Sequence, residues 1–234
     1  MKKGTKFAII VGIIILVIVA LIAFFVIRDL KQEEKLNEEL NSLADLLDEF
    51  PINYDKVNEK INQTITSGNY YKVEKSYKDF SSDIVSSLKK LDDAIDEDTL
   101  SNMLTASNIE KDGPNFEKTK AYLENSKKTL NEVSSEMDSY FSEEKVLSYI
   151  NDKNLDDYYI DIYKKYAIDD STSDKEDISK TLNQLKDILD KEEDVIDFLI
   201  KNKNSWKLED DTLVFYSKTL SDQYEKLTNE LNNI

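Results

Sequence analysis

Apolar residues follow two different patterns along this chain. From Phe7 to Ile27 they are continuous, FAIIVGIIILVIVALIAFFVI, without a charge and with one interior glycine, Gly12. Beyond Arg28 they recur every three or four residues with charged positions between them, the period of an amphipathic helix. The continuous run holds 21 residues. At 1.5 Å per residue it reaches about 31 Å, against roughly 30 Å for the hydrocarbon of a bilayer. A single isolated segment satisfies its backbone in lipid only as a helix. The run therefore predicts a transmembrane helix, and makes the lipid bilayer the first partner. A cleaved secretory signal competes with this anchor, but it needs a small-residue site after a shorter apolar core. Leu21-Ile22-Ala23 is a poor match, because Phe24–Ile27 carries the run straight past it. Gly4 and Gly12 are too far apart to form a GxxxG pairing face.

The periodic part predicts long helices joined by short polar turns, since beyond Arg28 only Pro51, Pro114, Gly68 and Gly113 break the chain. Leu36, Leu40, Leu43, Leu47 and Phe50 step by 4, 3, 4 and 3 up to Pro51. Two heptads are short for a coiled coil, so residues 28–50 are expected to be a stalk helix docking on the bundle, with a dimeric coiled coil as the alternative. Tyr54, Val57, Ile61 and Ile65 mark a short helix stopping at Gly68. Val73, Tyr77, Phe80, Ile84, Leu88, Leu91 and Ile95 mark a long one over about 69–96. One or two turns follow near Leu100, Met103 and Leu104. Lys111-Asp112-Gly113-Pro114 reads as a turn, and residues 111–115 as the candidate internal boundary of the acidic domain 51–234. A helix through Phe116, Leu123, Leu130, Val133, Met137 and Phe141 comes next, then shorter pieces around 146–150 and 155–168. Asp169–Lys175 is expected to be a solvated linker. Ile178, Leu182, Leu185, Leu189, Ile196 and Leu199 define another long helix.

The tail departs from this period. Trp206-Lys207-Leu208 and Leu213-Val214-Phe215 alternate around Glu209–Thr212, which predicts a small β-hairpin over 206–215, although Asp210-Asp211 is not the favoured Asn-Gly or Asp-Gly turn. Leu220, Tyr224, Leu227 and Leu231 give a last helix. SWKLEDDTLVF followed by the helix bearing Tyr224 resembles the tail of uncharacterised single-span envelope proteins of low-GC Gram-positive bacteria. The resemblance covers roughly the final thirty residues, and the turn glycine expected there is missing. It implies location and fold style, and no activity.

Composition narrows the function. The chain carries 31 Lys+Arg against 48 Asp+Glu, net −17; without Lys2, Lys3 and Lys6 the balance is 28 against 48, net −20. That charge repels nucleic-acid backbones and anionic lipid alike, and no basic stripe offsets it. Nucleic acid is therefore not an expected partner. Lys2, Lys3, Lys6 and the α-amine precede the span, while Arg28, Lys31 and Lys35 follow it. The short basic head, residues 1–6, favours a cytoplasmic N-terminus and an extracytoplasmic body. The reverse orientation stands as the alternative. Usage rich in Lys, Asn and Ile with Arg28 as sole arginine resembles that of AT-rich bacterial genomes.

No Cys and no His occur, which removes disulfides, thiol nucleophiles, the commonest general base and the usual zinc ligands other than carboxylate. Asp152-Lys153-Asn154-Leu155-Asp156 opens like a calcium loop. It then fails, because Asp157 stands where glycine must turn and Tyr163 where a Glu should close. Ser86–Lys89, Ser87–Lys90 and Ser142–Lys145 match S-x-x-K without the S-D-N and K-T-G elements that this chemistry needs. No catalytic, cofactor or metal residue is assigned, and an enzyme relying on carboxylates alone is the minor alternative. Tyr159, Tyr163 and Tyr166 share a helical face at spacings of 4 and 3, with Tyr158 beside them. These four are the candidate partner surface for a protein or an envelope component. Half-buried packing with the hydroxyl in water is the competing account. The expected fold is all-α: an N-terminal transmembrane helix, then an extracytoplasmic helical bundle with a small hairpin near the C-terminus. The expected role is non-enzymatic binding, sensing or scaffolding.

Overall fold

Long apolar periods uninterrupted by proline or glycine become helices here, and the chain is mostly helical. The computed structural model describes residues 30–48, 52–164, 168 and 171–233. Its elements in order are α1 (Leu30–Asp48), α2 (Tyr54–Asn62), α3 (Gly68–Ala94), α4 (Glu97–Asn102), α5 (Ala106–Asp112), α6 (Glu117–Tyr140), α7 (Glu143–Ser148), a 3₁₀ turn (Asn151–Lys153), α8 (Asp157–Lys164), α9 (Ser171–Lys201), β1 (Trp206–Glu209), β2 (Thr212–Phe215) and α10 (Lys218–Asn232). The basic head and the apolar run Phe7–Ile27 lie outside the described residues. Among the described residues no helix is long and apolar enough to cross a membrane. The solvated linker expected over Asp169–Lys175 is replaced from Ser171 onward by helix. Serine, threonine and aspartate suit the start of a helix, so this one begins upstream of its first apolar position, Ile178.

The chain folds into two compact units. The first comprises Leu91–Asn131 and Leu182–Ile234; the second, the described residues of Ile9–Lys90 with Glu132–Thr181. Residues 111–115 therefore do not divide the chain. They lie inside the first unit, and the divisions fall within α3, α6 and α9 instead. The reason is packing. Phe116 is wholly buried, and its ring lies 6.3 Å from that of Trp206. The Trp206 indole N–H donates to the Leu199 carbonyl at 2.9 Å. A Cβ on Gly113 would stand 2.5 Å from the Ile109 carbonyl oxygen and 3.3 Å from the Trp206 ring. The turn is thus a core piece and not a joint.

Also in the first unit, the hairpin pairs Trp206 with Phe215 and Leu208 with Leu213, antiparallel. Phe215 packs against Phe198 and Tyr224 at 5.9 and 5.2 Å, which ties β2 to α9 and α10. Asp210 and Asp211 have φ of 47° and 59°. Both are left-handed, as a two-residue type I′ connection demands, so the hairpin forms with the turn residues that suit it poorly. In the second unit Phe80 of α3 is buried with its ring edge-on to Phe141 and Tyr149, and Tyr77 stands edge-on to Tyr163.

Two substitutions test these local claims. Replacing Asp210-Asp211 by Asn-Gly relieves the left-handed strain and raises unfolding stability by about 1 kcal/mol. Gly113→Ala forces its methyl on the Ile109 carbonyl and lowers stability by about 1–3 kcal/mol. Denaturant titration followed by circular dichroism reads both.

Candidate functional site

Helix α1 is expected to bury leucines, and Leu36 and Leu43 are indeed buried in the second unit. Between them lies Glu39, three residues after one and four before the other, which puts it on the same face. It too is buried. Its carboxylate pairs with Lys78 at 2.6 Å and with Lys60 at 2.7 Å. Lys78 on α3 is wholly buried. Its ammonium also lies 2.9 Å from Glu74, 2.7 Å from the Gln63 carbonyl and 3.2 Å from the Lys60 carbonyl. Two lysines and two glutamates cancel, so the cluster is neutral and saturated with hydrogen bonds, the condition under which buried charge is tolerated.

Glu74 does a second job. It accepts the backbone N–H groups of Ile65 and Thr66 and the Thr66 hydroxyl, fixing the loop between α2 and α3. Burial alone would raise its carboxyl. Hydrogen bonds from the Thr66 hydroxyl and Lys78 outweigh that and hold it below the ordinary value of 4.5. Sequence patterning passes over this cluster because it treats every charge as solvated. The signals were Glu39 on a leucine face and the Glu74–Lys78 pair, four apart, flanking Tyr77.

The four tyrosines singled out by spacing do not share one surface. Tyr163 has no exposure: its hydroxyl donates to the Val146 carbonyl at 3.1 Å, and its ring packs on Tyr77. It is a core residue, which corrects its assignment to a partner face. Tyr166 lies outside the described residues. Tyr159 is half-buried, its ring edge-on to Tyr70 at 5.6 Å and to Tyr158 at 5.3 Å. Tyr158 is exposed. What remains is a short run of rings, Tyr70–Tyr159–Tyr158, joining the start of α3 to the start of α8.

The candidate chemical motifs resolve into structural contacts. Ser142 caps α7 by accepting the Lys145 N–H. Ser87 donates to Glu136, which also receives Lys90. Asn154 ends the 3₁₀ turn in a left-handed conformation, and its carbonyl accepts from Lys72. Among the described residues no three of His, Cys, Asp and Glu are grouped to hold a metal ion. A shallow groove of about 360 Å³ in the first unit is lined by Asp98, Thr99, Asn102, Met103, Asn108, Lys118, Thr119 and Tyr122. Its floor is internally satisfied: the Asn108 amide donates to the Met103 carbonyl and the Thr119 hydroxyl, and that hydroxyl donates to Asp112.

Several titrations are displaced among the described residues. Burial raises Tyr149, which also donates to Asp83, and it raises Tyr163, Tyr122 and Tyr224. Hydrogen bonds from Ser87 and Lys90 hold Glu136 down, and paired carboxylates hold Lys90, Lys120 and Lys191 up. Each of these groups is kept in its ordinary charge state at neutral pH. Compared with described families, curated proteins and solved structures, the chain matches none.

The ion cluster makes two predictions. Lys78→Met leaves the buried Glu74 without a cation and Glu39 with Lys60 alone, and lowers stability by about 3–5 kcal/mol in denaturant titration. Because the folded carboxyl of Glu74 is depressed, its contribution is present above its unfolded value near 4.5 and is lost as pH falls through the lower folded value. Glu74→Gln therefore removes part of the stability lost by the parent protein on acidification below that value, seen as a flatter melting temperature against pH.

Proposed function

We propose that this chain is a single-span membrane protein of a bacterial cell envelope. Phe7–Ile27 holds it in the bilayer, residues 1–6 stay in the cytoplasm, and the acidic helical body lies outside as a non-enzymatic binding, sensing or scaffold module. The observation that carries this is the uncharged apolar run, whose length matches the hydrocarbon and whose composition leaves no polar face to bury against protein. The non-enzymatic half is supported by the Glu39–Lys78–Glu74 cluster, whose buried charges neutralise one another, and by displaced titrations that hold groups in their resting charge states. Net charge of −20 beyond the head keeps such a body soluble and away from anionic surfaces. The tail's resemblance to single-span envelope proteins of Gram-positive bacteria supports the same location.

A second orientation is favoured by one observation, the cations Arg28, Lys31 and Lys35 directly after the span. In that case the body is a cytoplasm-facing tethered scaffold. External protease on intact cells decides between them. The expected result is loss of the body with the membrane fraction otherwise intact. Protection until lysis assigns the body to the cytoplasm, and recovery of the full chain in a detergent-free soluble fraction removes the anchor altogether.

A further inference from the structure

Ile65, Tyr71, Tyr158 and Tyr216 are large apolar side chains exposed to solvent, at 38%, 43%, 53% and 64% of their surface. The first three belong to the second unit and gather at one end of it. Ile65 and Tyr71 flank the start of α3, and Tyr158 joins them through the ring contacts of Tyr159 with Tyr70. The Lys72 ammonium on the Asn154 carbonyl at 3.2 Å ties the same two segments together.

That end is also where α1 begins. The Ser67 N–H donates to the side-chain oxygen of Gln32 at 2.9 Å, and further along Glu39 meets Lys78. The two contacts make α1 and α3 run in the same direction, with residue 32 beside 67 and residue 39 beside 78. Gln32 is five residues past Ile27, where the apolar run ends. Five residues reach at most about 18 Å even when fully extended. Whatever lies at the start of α3 is therefore held close to the end of the span.

From this placement we infer that the end of the second unit carrying Ile65, Tyr71 and Tyr158 rests on the bilayer's interfacial layer beside the span. The inference depends on Phe7–Ile27 being a membrane anchor and holds for either orientation of the body. Tyrosine suits this position, since its ring accepts an apolar surface while its hydroxyl stays among headgroups and water. Asp152, Asp156 and Asp157 are exposed near Tyr158, so the contact is made by rings with neutral lipid and not by charge with anionic lipid. Each side chain is spent on lipid that would otherwise be a solvent-exposed apolar surface.

The chain contains no cysteine, which permits single-site labelling of the full-length protein. Tyr71→Cys, Tyr158→Cys and, as a comparator, Ser86→Cys carry an environment-sensitive fluorophore in phosphatidylcholine vesicles containing a nitroxide-headgroup lipid. Ser86 is exposed on α3, fifteen residues beyond Tyr71 and about 22 Å further along the helix. All three positions are exposed and should tolerate substitution, which helical circular dichroism verifies. The expected result is loss of most emission at 71 and 158 with little loss at 86. Equal, slight quenching at all three sites in protein that floats with the vesicles overturns the interfacial contact while leaving the anchor in place. Protein that fails to float with the vesicles overturns the anchor and, with it, this inference.

Discussion

A buried ammonium organises the second unit. Lys78 is reached by carboxylates from α1 and α3 and by carbonyls at and just beyond the end of α2, so one charge ties three helices and the intervening loop. Apolar packing alone would let α1 slide along α3, because leucine faces are interchangeable by a turn. An ion pair inside a low-dielectric core admits one register only, since any other strands a charge at several kcal/mol. The leucines drive α1 onto the bundle, and the cluster says where it stops.

Much of the fold is legible in the sequence because spacing reports directly on helices. The period through Val73, Tyr77, Phe80 and Ile84 marks α3 to within a couple of residues, and that through Phe116, Leu123 and Leu130 marks α6. The hairpin is legible too, because alternation around Asp210-Asp211 survives a turn whose residues are ill suited to it. What escapes is anything in which a polar residue behaves as core. Glu39 and Lys78 look solvated until their partners, far off in sequence, are brought beside them. The Gly113-Pro114 turn looks like a boundary because glycine and proline usually punctuate. Here the missing Cβ is what lets Phe116 and Trp206 close over it.

The tyrosines show a third limit. A spacing of four correctly puts Tyr159 and Tyr163 along one side of α8, but spacing does not say how deeply each sits. Tyrosine is at home in either setting, since its ring packs and its hydroxyl needs only one partner. Tyr163 finds that partner in the Val146 carbonyl and goes inside, while Tyr158, about 140° round the helix from it, stays out.

The two left-handed aspartates at the hairpin tip have an effect beyond local strain. A two-stranded ribbon leaves both edges with unpaired backbone groups, a template for joining another ribbon edge to edge. Adjacent like charges at its apex, Asp210 and Asp211, make such stacking between copies repulsive. An easier turn would make a firmer hairpin and a stickier one, so the awkward choice reads as protection against self-association between copies.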